Sequence, residues 1–133
     1  MSGRNVLHVA WTEDDLSGIG GAEEVRISSV RADGSWRTYV RIWVVRVGDD
    51  LYVRSAYGPE NGWFRRAKAA GAGRLKIGRH ERDVSFETPG ADVAGAVDAA
   101  YHAKYDKYGP KLVATVVGDE TAAVTLRLLP RSG

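Results

Sequence analysis

Residues 36–47 alternate cleanly in polarity, with Val40, Ile42 and Val44 on one side of an extended chain and Tyr39, Arg41 and Trp43 on the other. A period of two over this length demands a strand with one face on a core. Ala32-Asp33-Gly34-Ser35 precedes it and carries the Asp-Gly signal of a tight hairpin. Glu24 to Arg31 is then the partner strand. Gly48-Asp49-Asp50 marks a second turn, into a strand over Leu51–Ser55, and two more strands are expected at Arg74–Ile77 and Arg82–Thr88. In the last of these Val84 and Phe86 face inward. Thr121–Leu129 alternates again and is closed by Pro130.

Two segments break the period. Thr12 with Asp15 has the form of a helix N-cap, opening a short helix over Glu13–Ile19 that Gly20-Gly21 stops. From Ala91 to Lys107, Val93, Val97, Ala100, Tyr101, Lys104, Tyr105 and Tyr108 recur at three- and four-residue spacing, which describes an amphipathic helix ended by Gly109-Pro110. Lys111–Val117 fits either strand or helix. The expectation is a mainly β chain with some α, an α+β fold. About six antiparallel strands would form a small barrel, with one amphipathic helix and one or two short ones. At 133 residues this is a single domain, 1–133, with residues 1–6 as a loose tail.

Composition narrows the function. The chain has no Cys, which excludes disulfides and thiolate chemistry. No run of apolar residues is long enough for a membrane span, and the N-terminus lacks the apolar core of an export signal, so the cytoplasm is the expected compartment. His8, His80 and His102 have no partners at ligand spacing, so no metal site is expected. Neither a Gly-x-Ser-x-Gly elbow nor a Gly-Lys-Ser/Thr phosphate loop occurs. The adjacent carboxylates Asp14-Asp15, Glu23-Glu24 and Asp49-Asp50 sit beside turns, where such pairs are solvated caps.

One stretch does carry chemistry. The formal charge of the chain is +2, yet residues 61–80 contain Arg65, Arg66, Lys68, Arg74, Lys76 and Arg79 and no Asp or Glu. The same stretch holds Trp63-Phe64 and follows a strand end at Arg54-Ser55. Guanidinium forks and loop amides suit a phosphate, and an aromatic wall suits a flat heterocycle. Pattern alone leaves two readings of Trp63-Phe64 open: core packing beneath a solvated arginine face, or the wall of a ligand site. Single-stranded nucleic acid also uses basic and aromatic surface, but a near-neutral chain with one basic segment argues against it. Tyr101, Lys104, Tyr105 and Tyr108 divide in the same way between helix packing and a Lys104 that reaches an anion at the barrel mouth.

The segment YVRSAYGPENGWFRRAKAAGAGRLKIGRHERDVSFE, the helix residues Asp98 to Tyr105 and the closing ATVVGDETAAVTLRLLPR resemble a bacterial family known as domain of unknown function 2255. The AYxxKY helix signature and the YVRS strand end are its most specific pieces. That family is similar to the flavin-binding split barrels, which include pyridoxamine-phosphate oxidases and deazaflavin-dependent nitroreductases. The resemblance implies a split β-barrel, an FMN or deazaflavin cofactor, a homodimer, and an oxidoreductase of nitroreductase-like type. The alternatives are a non-catalytic binder of a phosphorylated heterocycle and a cofactor-less dimeric interaction module. It also assigns Arg54, Ser55, Ala56, Trp63, Arg65, Arg66 and Lys68 to cofactor binding, with Tyr57, Trp43 or Tyr101 as further walls. Arg66 stands where the nitroreductases typically carry an Asn.

Overall fold

The computed structural model describes residues 10–56 and 58–131. His8 and the expected loose tail at residues 1–6 lie outside the described residues. Seven strands form one antiparallel sheet: β1 (Val25–Ser29), β2 (Val40–Ile42), β3 (Val45–Val47), β4 (Asp50–Arg54), β5 (Ala72–Ile77), β6 (His80–Glu87) and β7 (Thr125–Pro130). Their order is β2-β1-β5-β6-β7-β4-β3. The two edge strands are consecutive in the chain and separated only by Trp43 and Val44, so the sheet curls until its edges meet through one bent strand. The single strand expected over residues 36–47 is therefore two. It pairs with β1 through Val40 and Ile42, then leaves it and pairs with β4 through Val45 and Val47. The alternation survives the break. Val40, Ile42 and Val44 belong to the barrel interior, and Trp43, Val45 and Val47 to the outer face.

The barrel interior holds Val25, Ile27, Leu51, Val53, Leu75, Val84, Phe86 and Leu128, and α1 (Glu13–Gly21) adds Leu16 and Ile19. Thr12 caps α1 as expected, its hydroxyl accepting from Asp15 N at 3.0 Å. A second helix, α2 (Gly62–Ala70), forms where a loop and a basic segment were expected. Its buried side, Trp63, Phe64 and Ala67, packs on the interior core. Burial of Phe64 alone contributes about 2–3 kcal/mol, enough to hold a helix too short to persist by itself. On the outer face of β3 and β4 lies α3 (Ala94–Tyr105), with Val97, Tyr101 and Tyr105 buried, followed by the short α4 (Pro110–Val113). The expected last strand starts later, because residues 119–124 wind into a 3-10 turn before β7. Among the described residues no helix is long and apolar enough to cross a membrane.

Glycine is required at two places. Gly78 opens the two-residue turn between β5 and β6 at φ 58°, a left-handed conformation that side chains disfavour. In β5, a Cβ on Gly73 would sit 2.2 Å from Ser28 O and 2.6 Å from the Phe86 ring. The strand can approach β1 this closely only without a side chain.

The break at Trp43-Val44 leaves backbone groups without a ladder partner, and the AYxxKY residues of α3 supply one. Tyr105 Oη accepts from Val44 N at 3.2 Å, and its proton lies between Glu23 O at 2.7 Å and Val44 O at 3.1 Å. Lys104 Nζ donates to Val44 O at 2.7 Å and to Gly20 O at 2.8 Å. Trp43 stacks on Tyr105 with centroids 4.1 Å apart. The packing reading of this helix face therefore holds, and Lys104 serves the backbone break. Burial drives its pKa down to about 8, opposed by nearby Glu23 and assisted by Lys107.

Arg54 anchors the same helix. Its side chain has 0% exposure. Nε donates to Thr125 Oγ1 at 2.8 Å, Nη1 to Val116 O at 2.9 Å and to the Asp98 carboxylate, and Nη2 to Ala94 O at 3.2 Å. The guanidinium also lies 5.7 Å from the Tyr101 ring centroid. One side chain thus joins β4, β7, α3 and the segment after α4.

Arg54→Met is expected to lower unfolding free energy by about 3–5 kcal/mol in urea titration, because several buried acceptors lose their donor together. Arg54→Lys should recover little, since one ammonium cannot span the same partners. A loss below about 1 kcal/mol would contradict this role. Gly73→Ala should cost about 1–3 kcal/mol through overpacking against Ser28 and Phe86. With the Lys104 pKa depressed from 10.5 to about 8, the folded chain binds fewer protons than the unfolded chain between those values, so stability rises with pH across that window. The unfolding free energy of wild type relative to Lys104→Met should accordingly increase from pH 8 to pH 10. A difference that stays flat would show that Lys104 titrates normally.

Candidate functional site

The seven residues assigned by resemblance separate into two groups. Arg54 and Ser55 face inward. Arg54 has no exposed side-chain surface, and its donors are taken by Thr125, Val116, Asp98 and Ala94, which gives it a structural role in this fold. Ser55 is also fully buried; its hydroxyl donates to Gly58 O at 2.7 Å and its amide to Val124 O at 3.0 Å. It shapes the turn after β4 and has no exposed surface to offer a ligand.

Ala56, Trp63, Arg65 and Arg66 line open clefts. Arg65 and Arg66 project from the exposed side of α2 into a cleft of about 800 Å³. The opposite wall is the hairpin between β1 and β2, which contributes Arg31 and Arg37. Arg31 is braced there, Nη1 donating to Trp36 O at 2.9 Å and to Ser35 Oγ at 3.3 Å. Elsewhere Arg41, Arg46, Arg54, Arg74, Arg82 and Arg127 each pair with a carboxylate. Among the described residues none of the four cleft arginines has such a partner within 4.0 Å. Among the described residues no Asp or Glu lines the cleft.

The first turn of α2 adds to this field. Asn61 at its N-cap makes no side-chain cap bond and no acidic residue lies in the turn, so the positive end of the helix is uncompensated. Arg66 folds back over it: a Cβ on Gly62 would lie 2.7 Å from Arg66 Nη1. Lys68 is exposed on the same helix but does not line the cleft, and its ammonium rests 5.8 Å from the Phe64 centroid.

A crevice of only about 10 Å³, bordered by Ser28, Arg37, Val40, Trp63 and Arg66, lies between the arginine cleft and a slot of about 340 Å³ and shares lining residues with both. Trp43 and Trp63 wall this slot, with Val40, Ala56, Asn61 and Thr115 between them. Arg54 backs it from beneath without being exposed. Trp63 resolves both readings at once. It is 7% exposed and packs edge-on to Phe64, with ring planes at 85°, and its remaining surface borders the slot. Asn61 Nδ2 donates to Ala56 O at 3.3 Å, leaving Oδ1 and one N–H for a ligand edge. Tyr101 is buried below Arg54 and lines none of these spaces. Tyr57 lies outside the described residues.

Sequence reasoning missed Arg31, Arg37 and Asn61. The hairpin arginines are separated from α2 by about thirty residues of chain, a distance no local pattern bridges. The available signal was the Asp-Gly turn flanked by two arginines.

Solved structures show the same fold at low identity. A putative pyridoxamine 5'-phosphate oxidase from Listeria innocua has a TM-score of 0.62 at 12% identity, covering 90% of this chain and 93% of that one. A FAD-binding protein from Mesorhizobium loti has a TM-score of 0.55 at 16% identity, covering 92% of each chain. An F420 reductase has a TM-score of 0.55 at 18% identity, covering 92% of this chain and 97% of that one. The split-barrel expectation is met. No curated protein matches the sequence. A family model described as "Uncharacterized protein conserved in bacteria (DUF2255)" matches residues 15–128, and the chain belongs to that family.

Proposed function

We propose that the groove between the β1–β2 hairpin and α2 binds a phosphorylated flavin or deazaflavin, and that the protein is an oxidoreductase built on that cofactor. The observation that carries this reading is the arginine cleft: four guanidiniums without carboxylate partners, with a crevice of shared lining residues between them and an aromatic slot. The donor chemistry fits the group. Arg31, Arg37, Arg65 and Arg66, with the first-turn amides of α2, suit phosphate oxygens. Trp43 and Trp63 suit the faces of a planar ring.

When bound, such a cofactor supplies hydride transfer itself, so the chain needs to position it and needs no nucleophile of its own. Trp43 is held for that task by its stack on Tyr105, and Trp63 by the interior core. Asn61 presents an amide edge that can pair with ring heteroatoms, its orientation set by Ala56 O. Arg37, Thr38 and Val40 border the crevice on one side, and Trp63, Arg66 and Ala67 of α2 on the other. The structural relatives support the reading, since they include a putative pyridoxamine 5'-phosphate oxidase, a FAD-binding protein and an F420 reductase. A homodimer and a cytoplasmic location belong to the same reading.

Titration of the purified protein with FMN and with the deazaflavin coenzyme, followed by fluorescence, tests it. One of the two should bind in the micromolar range or tighter. The double change Arg65→Ala with Arg66→Ala should weaken that binding at least tenfold, about 1.4 kcal/mol, and flatten its dependence on salt. If neither ligand binds at high micromolar concentration, the cofactor reading fails.

A further inference from the structure

A second large cleft lies on the other side of Thr115 and has the opposite chemistry. Its volume is about 950 Å³, and its walls come from the turn after β4 (Gly58, Pro59) and the segment 114–124. Most of the wall is Gly, Ala, Pro and Val. Among the described residues the lining side chains that carry an O–H or N–H are Ser55, Thr115 and Thr121, and each proton is already committed. Ser55 Oγ donates to Gly58 O at 2.7 Å, Thr115 Oγ1 to Leu112 O at 2.6 Å and Thr121 Oγ1 to Gly118 O at 2.6 Å. A hydroxyl that has given its proton still accepts. Ser55 has no exposed surface and Thr121 is buried with 9% exposure, so the half-buried Thr115 is the main hydroxyl left for a ligand, with Thr121 at its edge, and both offer it lone pairs. The one charged side chain in the described lining is Glu120, exposed and without a salt-bridge partner among the described residues. Among the described residues no Lys, Arg or His lines the cleft.

We infer that this cleft is a binding site for a small cationic hydrogen-bond donor, of which a primary ammonium on an apolar body is the simplest form. Side-chain lone pairs beside a carboxylate disfavour an anion. An ammonium has three donors and one positive charge, matching Thr115, Thr121 and Glu120, while the small apolar wall accepts its carbon frame. The cation site stands on the cleft itself. Its place as the substrate side of the groove rests on the cofactor reading, because Thr115 is a shared wall of this cleft and the aromatic slot.

Benzylamine, benzyl alcohol and benzoate share one frame and differ in charge, and their binding can be followed by amide shifts in NMR. Benzylamine should bind tightest and benzoate weakest, with the shifts confined to the turn after β4 and residues 114–124. Glu120→Gln should weaken benzylamine by about three- to fivefold, the range for one exposed charge. Glu120→Lys should reverse the order in favour of benzoate. Since Glu120 is exposed and outside the arginine cleft, both variants should fold and keep the FMN or deazaflavin affinity of wild type. Benzoate binding as tightly as benzylamine to wild type, or benzylamine shifts mapping elsewhere, would overturn the inference. Neither result bears on the cofactor site, which the separate titration of wild type decides.

Discussion

A guanidinium without exposed surface ties together segments that are otherwise far apart in the chain. Arg54 reaches Thr125 on β7, Asp98 and Ala94 on or beside α3, and Val116 after α4. A buried charge is costly unless its donors are satisfied, and that cost makes the arrangement selective. If α3 were rotated or shifted along the sheet, several of these bonds would be lost together. The position of α3 then decides where Lys104 and Tyr105 fall. Both reach Val44, where the strand that closes the barrel changes partners. The sheet can break there because a helix supplies the hydrogen bonds that the ladder gives up.

This internal role relocates the chemistry. With Arg54 turned away from the ligand side, the positive field comes from Arg65 and Arg66 on α2 and from Arg31 and Arg37 on the hairpin. Trp43, held against Tyr105, faces the slot between this field and the acceptor-lined cleft around Thr121. The molecule therefore presents an end lined by arginines, an aromatic middle and an end whose described lining carries one carboxylate. That polarity would orient a cofactor in one direction and leave its far side to a molecule of different charge.

Much of the fold was legible from pattern because its causes are local. Thr12 and Asp15 announced the first helix, Asp33-Gly34 the first hairpin, and the inward positions Val84 and Phe86 followed from alternation. The misreadings have separate causes. Residues 62–70 hold Arg65, Arg66, Lys68 and three alanines, all good helix formers, a signal that reading the segment by its charge passed over, and burial of Trp63, Phe64 and Ala67 fixes the helix. Residues 36–47 look like one strand because side-chain alternation continues through the break, and alternation is blind to which neighbour the backbone bonds. YVRS and AYxxKY were recognised as the most specific pieces. That they meet, Arg54 over Tyr101 and Tyr105 against Val44, is invisible to spacing.

By itself the sequence determined a mainly antiparallel barrel with an amphipathic helix and a basic, aromatic segment after the YVRS strand, because periodicity, turn chemistry and charge count are properties of neighbouring residues. Only the tertiary structure decided which of those charges remain available. Arg54 and Arg65 are chemically identical, and burial with four partners makes one a structural pin while solvent exposure leaves the other free to meet an anion. It likewise brought Arg31 and Arg37 across from another hairpin. A site assembled from distant segments depends on strand register and helix placement, which are set by packing across the whole core.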